Sequence, residues 1–265
     1  MAITYPISLP SAQLSYNIPY TNFEVLEGNS DFSLLTITNN GEEGSVLSYI
    51  LSKSYPDLES PFDVAGDEPD SYGYFWSDSN NESNLESEWI DISDIGTLYE
   101  FDNNDESGEV IDIGFDFPFY GQNRNQLFIN PNGWIGFGDD SNEWDNSSIP
   151  STDAPLNAIF GLWDDLNPVN DNCNSDCAGN IFYNCDDQKC IIWFDNVAHW
   201  WTNYENSFYD FQVIMYSNGD IDFNYNEMIG DYSSATIGIQ NFGAEDGLQV
   251  SYNNNYAESL LSIKI

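Results

Sequence analysis

The chain has 265 residues, 41% of them hydrophobic and 16% aromatic, enough to build a core and to exclude global disorder. Asp and Glu number 45 against 4 Lys and Arg, a formal net charge of −41. Phosphate groups are bound by cationic side chains, so this balance excludes nucleic acid and anionic membrane surfaces as partners. The same charge opposes a compact state unless salt or bound cations offset it. A solvated surface adapted to high salt is one reading of it; divalent-cation binding is the other. No run approaches the roughly 20 apolar residues of a membrane span. Met1–Pro10 lacks the basic region and long apolar stretch of a signal peptide, so secretion requires a processed or non-native start.

In chain order, residues 1–60 read as a small N-terminal β unit. Strand-like runs fall at 14–18, 23–26, 32–38 and 46–51, with a loop at Asn39–Gly44. Leu35-Thr-Ile-Thr-Asn-Asn-Gly41 is similar to a strand-turn segment of bacterial immunoglobulin-like domains. An immunoglobulin-type sandwich needs about seven strands over ~100 residues. Four strands leave the unit minimal, packed on the main domain, or completed by another chain. Residues 61–88 form an acidic linker rich in Pro, Gly, Ser and Asn. The aromatic cluster Tyr72-Gly-Tyr-Phe-Trp76 interrupts it. Tyr74 and Trp76 would pin the linker to the main domain or form a platform for sugar.

Residues 89–265 read as a β-sandwich. Its strands are expected at 110–117, 126–130, 134–138, 156–163, 180–185, 190–197, 208–217, 220–226, 235–240, 247–252 and 259–264. In the first, Ile111, Ile113, Phe115 and Phe117 share one parity, as a strand with one buried face requires. Pro118 fits a strand end or an edge. Pro131-Asn132-Gly133 breaks the next apolar run as a hairpin turn, since Asn and Gly tolerate positive φ. Leu156–Trp163 is almost wholly apolar, the mark of a strand covered on both faces, and it ends in Asp164-Asp165. The pair at 208–226 is a hairpin turning at Ser217–Asp220. No stretch has the 3.6-residue period of a long helix.

Gly114-Phe-Asp-Phe-Pro-Phe-Tyr-Gly121, Ile129-Asn-Pro-Asn-Gly-Trp-Ile-Gly-Phe-Gly138 and Phe160-Gly-Leu-Trp-Asp-Asp-Leu166 carry a resemblance, joined by Phe211–Tyr225 and Thr236–Gly243. From about Gly73 onward the chain resembles a β-sandwich domain of secreted bacterial proteins, one often found beside subtilisin-like peptidases. It is distantly similar to the nidogen-type extracellular domain. The resemblance implies an extracellular, non-catalytic module and supplies no catalytic or ligand-binding residues.

Four cysteines, Cys173, Cys177, Cys185 and Cys190, lie close together. Cys185 and Cys190 bracket a hairpin loop, so Cys173–Cys177 and Cys185–Cys190 disulfides are expected in an extracellular setting. A zinc site built from all four thiolates is the competitor, but the usual C-x2-C knuckle is missing. Carboxylate-rich loops suit calcium, a hard cation that takes six to eight oxygens. The best-placed set is Asp164, Asp165, Asn167, Asp171 and Asp176; similar clusters lie at 102–106 and 139–145. None meets the calcium-loop pattern of alternating Asp with a distal Glu.

Catalysis has little support. His199 is the single histidine, and any Ser-His-Asp arrangement would have to use it. Two carboxylates suffice for a glycosidase, but no pair stands out. Trp200, Trp201 and Tyr204 offer either core packing or a contact for sugar or a partner protein. The sequence thus predicts an all-β protein, a jelly-roll-like β-sandwich with a small immunoglobulin-like N-terminal unit. It predicts a non-enzymatic module outside the cell or on its surface, stabilised by calcium and serving adhesion or a structural assembly. A carbohydrate-binding module and an accessory domain of a secreted peptidase are the alternatives. Residues near 3–26 are candidates for strand exchange in a homopolymer, and a glycan is a candidate ligand.

Overall fold

Alternating apolar side chains and polar turns build strands, and every regular element among the described residues is a β-strand. The structure, a computed structural model, describes residues 14–17, 36–41, 69–81, 85, 89–103, 105–138, 142–170, 177–200 and 206–265. The chain divides into two units, Met1–Ser52 and Lys53–Ile265. No helix of the described residues is long and apolar enough to cross a membrane.

In the first unit, β1 (Leu14–Asn17) pairs antiparallel with β2 (Thr36–Asn39). Asn40 Nδ2 donates to Ser15 Oγ at 2.6 Å, tying the turn after β2 back to β1. The strands expected at 23–26 and 46–51 lie outside the described residues.

The second unit is a β-sandwich. Its eight-stranded sheet runs β3 (Ser77–Asp78), β16 (Ser262–Lys264), β13 (Ile221–Ile229), β12 (Phe208–Tyr216), β11 (Lys189–His199), β10 (Asn180–Cys185) and β4 (Thr97–Leu98), with β9 (Leu166–Asn167) also paired to β11. The six-stranded sheet runs β15 (Gly247–Tyr252), β14 (Thr236–Gln240), β8 (Ala158–Trp163), β7 (Trp134–Gly136), β6 (Gln122–Asn130) and β5 (Ile111–Phe119). Two meanders, β5 to β8 and β10 to β13, supply most of it. The chain then returns to the six-stranded sheet for β14 and β15 and crosses back for β16. Each strand expected beyond residue 110 is present. The two-residue strands β3, β4 and β9 have no sequence signature, because so short a run has no period to read.

The sheets meet through a core of large side chains. Phe117, Phe119, Ile129, Ile135 and Ile159 of one sheet join Phe194, Phe211, Val213, Phe223 and Tyr225 of the other. Phe194 and Phe211 are cross-strand partners whose rings stack 4.5 Å apart. Tyr225 OH donates to Gly161 O at 2.7 Å, a bond between the two sheets. A Cβ at Gly161 would lie 2.5 Å from Val213 Cγ2, so glycine sets how closely the sheets approach there. Each fully buried Phe contributes about 1.5–3 kcal/mol.

Both outer faces are partly covered. Phe128, Trp134, Ile149, Ala158, Phe160 and Trp163 form a second cluster on the six-stranded sheet. The segment before β8 lies over it, and the Glu143 carbonyl accepts both Trp134 Nε1 and Trp163 Nε1 at 3.1 Å. This cover explains the uninterrupted apolar run of β8: Ile159 and Leu162 enter the main core, while Phe160 and Trp163 enter the outer cluster. On the other sheet, Ile92 packs on Ile191 and Ile214, and Gln212 pairs with both backbone groups of Ile90. Cys185 and Cys190 are register partners at the end of β10 and β11 and form a disulfide.

The turn at Asn130–Gly133 is buried, which is unusual for a hairpin loop. Gly133 has φ +81, and a Cβ there would meet the Leu162 carbonyl oxygen at 1.9 Å. Gly133→Ala is expected to destabilise the protein by roughly 2–5 kcal/mol, adding backbone strain to a forced shift of β8. Gly138, with φ +137 and open space at its Cβ position, is the control; Gly138→Ala should cost about 1–2 kcal/mol. Urea denaturation of both variants checks the difference.

Candidate functional site

The site grows from the buried turn. Gly133 O accepts the N–H groups of Gly161 and Leu162, both at 3.1 Å. Asn132 O accepts Asp164 N at 3.2 Å, and Asn132 Oδ1 accepts Leu166 N at 3.0 Å. Asn130 Oδ1 in turn accepts Asn132 N at 2.9 Å. The turn therefore satisfies the backbone of β8 where the strand ends, and it fixes the path of Asp164-Asp165-Leu166. β9 then pairs with the end of β11, setting Leu166 opposite His199 and Asn167 opposite Ala198. Trp200 N donates to Asp165 O at 2.9 Å, closing the contact.

Asp164, Asp165, Asn167 and His199 are each buried in the corner where β9 meets the end of β11. Asp164 Oδ2 accepts Ser234 Oγ at 2.5 Å and lies 3.3 Å from His199 Nε2. Asp164 Oδ1 accepts Asp165 N at 2.9 Å. The His199 ring also meets Tyr209 edge-on at 6.3 Å. Asp231 sits close by, its carboxyl held below the ordinary range by hydrogen bonds from Ser233, with a smaller contribution from His199.

A serine, a histidine and an aspartate thus converge here, but in the wrong order for nucleophilic catalysis. A serine nucleophile needs its hydroxyl on the imidazole, with the carboxylate behind. The Ser234 hydroxyl instead donates to the carboxylate, leaving Asp164 as the hub. What the corner can do is hold positive charge. Two adjacent carboxylates removed from water favour a cation nearby. Among the described residues no group of three His, Cys, Asp or Glu side chains is arranged to hold a metal. Any cation here would draw on amide and main-chain oxygens as well.

Of the residues singled out from sequence, Asp164, Asp165 and Asn167 are each buried where β8 leads into β9, whereas Asp171 and Asp176 lie outside the described residues. Cys177 is disulfide-bonded, and its expected partner Cys173 lies outside the described residues. Trp200 is 44% exposed; Trp201 and Tyr204 lie outside the described residues. Trp76 is a core residue, edge-on to Tyr256 at 5.8 Å, and presents no open ring face of the kind a sugar needs. Tyr74 is half-buried, stacked against the exposed Tyr72 at 5.3 Å and edge-on to Tyr120 at 4.8 Å. Ser234 and Asn132 gave no sequence signal of a site. Each acts through a partner far away in the chain.

Among known proteins, the family model described as NIDO related matches residues 82–264. No curated protein and no solved structure matches.

Replacing Asp164 tests its role as hub. Asp164→Ala leaves the Ser234 hydroxyl and the Asp165 N–H without their acceptor and removes the carboxylate beside His199. Stability in chelator-treated buffer should fall by at least about 2 kcal/mol, against about 1 kcal/mol for Ser234→Ala. An Asp164→Ala protein as stable as its parent in urea would mean that repulsion from Asp165 outweighs these bonds.

Proposed function

Because the chain belongs to the NIDO-related family, an extracellular and non-catalytic type of domain, we propose that it is a non-enzymatic module outside the cell or on its surface. Its role is adhesion or a structural part in an assembly. The observation that carries the non-enzymatic part is the Asp164 corner, where the hydroxyl and the imidazole both address the carboxylate. The Cys185–Cys190 disulfide agrees with an oxidising compartment.

Calcium is the cation that suits this module. Net charge −41 calls for neutralisation, and Asp164, Asp165 and Asn167 place oxygen donors at one buried corner. Asp171 and Asp176 follow directly in the chain and would add ligands. A bound ion that ignores the unfolded chain stabilises by mass action, by about 2.7 kcal/mol at a hundred times its Kd. Melting temperature should therefore rise more with millimolar calcium than with sodium chloride of matched ionic strength. The Asp164→Ala/Asp165→Ala variant should lose the difference. Equal shifts in both salts would leave screening alone as the cause.

A carbohydrate-binding role is the second reading, favoured by the exposed Trp200 and by Tyr72 stacked on Tyr74. An accessory role beside a secreted peptidase is the third, and it rests on the sequence resemblance alone.

For assembly, the N-terminal unit is the candidate donor or acceptor of a strand. Among the described residues β1 and β2 pair only with each other, and a strand edge left open is a template for another chain. A head-to-tail contact of this kind propagates into a filament unless its rotation closes. Deleting residues 1–26 should abolish self-association while Lys53–Ile265 stays folded. Sedimentation in the presence of calcium and salt, with circular dichroism as the control, reads both. A full-length protein that sediments as a monomer at high concentration would remove the polymer.

A further inference from the structure

A cleft of about 460 Å³ opens beside β6, between the segment that leads into β8 and the loop after β14. Arg124, one of only 4 basic residues, stands in its wall. Its Nη2 donates to Gln122 Oε1 at 2.7 Å and to Asn157 Oδ1 at 3.1 Å. Both acceptors are neutral. The ion pairs among the described residues are His199–Asp164 and Lys264–Asp222, so among those residues this guanidinium has no carboxylate partner, in a chain with 45 acidic residues. Its Nε–H is buried without an acceptor. Burial, with no opposing charge, also pulls its pKa below the ordinary arginine value.

The rest of the cleft is divided. Leu156 and Phe242 form an apolar wall and are 41% and 59% exposed. Glu143 and Asp153 supply carboxylates at the rim. An arginine whose acceptors are neutral selects a carboxylate. A plain anion, however, would meet the field of a chain at −41 and the two rim carboxylates. A zwitterion has no net charge to be repelled, and its ammonium group suits the rim. Volume agrees, since small-molecule sites begin at about 300 Å³.

We propose that this cleft binds a small zwitterion with an apolar side chain, an α-amino acid being the simplest. Its carboxylate sits on Arg124, its ammonium group faces Glu143 and Asp153, and its side chain lies on Phe242 and Leu156. The proposal is independent of calcium binding and of assembly.

Titration calorimetry and ligand-observed NMR with L-phenylalanine test it on the full chain. Saturable binding is expected. L-phenylalaninamide, which lacks the carboxylate, and N-acetyl-L-phenylalanine, which lacks the ammonium group, should each bind about tenfold more weakly or worse. Arg124→Gln should lose about tenfold or more. Phe242 is exposed, so Phe242→Ala keeps the fold and should weaken L-phenylalanine several-fold. No binding at millimolar ligand, equal affinity for the amide, or affinity unchanged in both variants would overturn the proposal.

Discussion

The sandwich depends on one buried hairpin turn. Asn130, Asn132 and Gly133 leave solvent; Asn132 and Gly133 accept the N–H groups at the end of β8, and Asn130 accepts those of Asn132 and Gly133 within the turn. A buried turn is tolerated only when its backbone groups are paired. Here the pairing does two things at once. It ends β8 without orphaned donors, and it swings the chain sharply enough for Asp164 and Asp165 to lie beneath the end of β11. Without Gly at position 133, the close approach to Leu162 is sterically closed. The polar corner is thus a consequence of how β8 is capped.

Charge is the second constraint, and it acts differently inside and outside. Among the described residues most carboxylates face water, where salt screens them. A few are buried and individually satisfied. Asp210 accepts Trp193 Nε1 at 2.6 Å and Asn226 Nδ2 at 2.7 Å, while Asp222 faces Lys264 at 3.3 Å and Tyr216 OH at 3.1 Å. Burial still raises the pKa of both, and of Asp70, above the usual value of 3.8. A raised folded pKa means the native state holds its proton more tightly than the unfolded chain. That contribution is complete below the unfolded value and is lost as pH rises through the folded one. Self-repulsion at −41 acts in the same direction. Cations and mild acidity therefore relieve the same stress.

A non-catalytic module needs a rigid body and selective surfaces. The interleaved aromatic core and the two covered outer faces provide the body. The surfaces include exposed aromatics at Trp200 and Tyr72 and a cleft that sets Arg124 among apolar, neutral polar and acidic residues. The last stands apart because the sequence offers so few positive charges. A partly buried guanidinium with neutral acceptors and, among the described residues, no carboxylate partner is costly to keep.

The sequence by itself determined the class and most of the strands, because period-two alternation is local and survives reading one residue at a time. Ile111 to Phe117 and Phe211 to Met215 are clear examples. It also pointed to the Cys185–Cys190 pairing, since two cysteines flanking a short hairpin turn can face each other, and the register of β10 and β11 makes them do so. Tertiary structure alone decided the rest. Ser234 and His199 reach Asp164 from distant parts of the chain, so nothing local marks either of them. Trp76 carries the same aromatic signal as Tyr74, yet one is core and the other half-buried, because burial depends on what lies opposite. Arg124 looks like any surface charge on an alternating strand; only the folding of Asn157, Leu156 and Phe242 around it makes a cleft. Local patterns fix which way side chains point along a strand, but a site needs side chains from several strands, and their meeting is fixed only when the sheets pack.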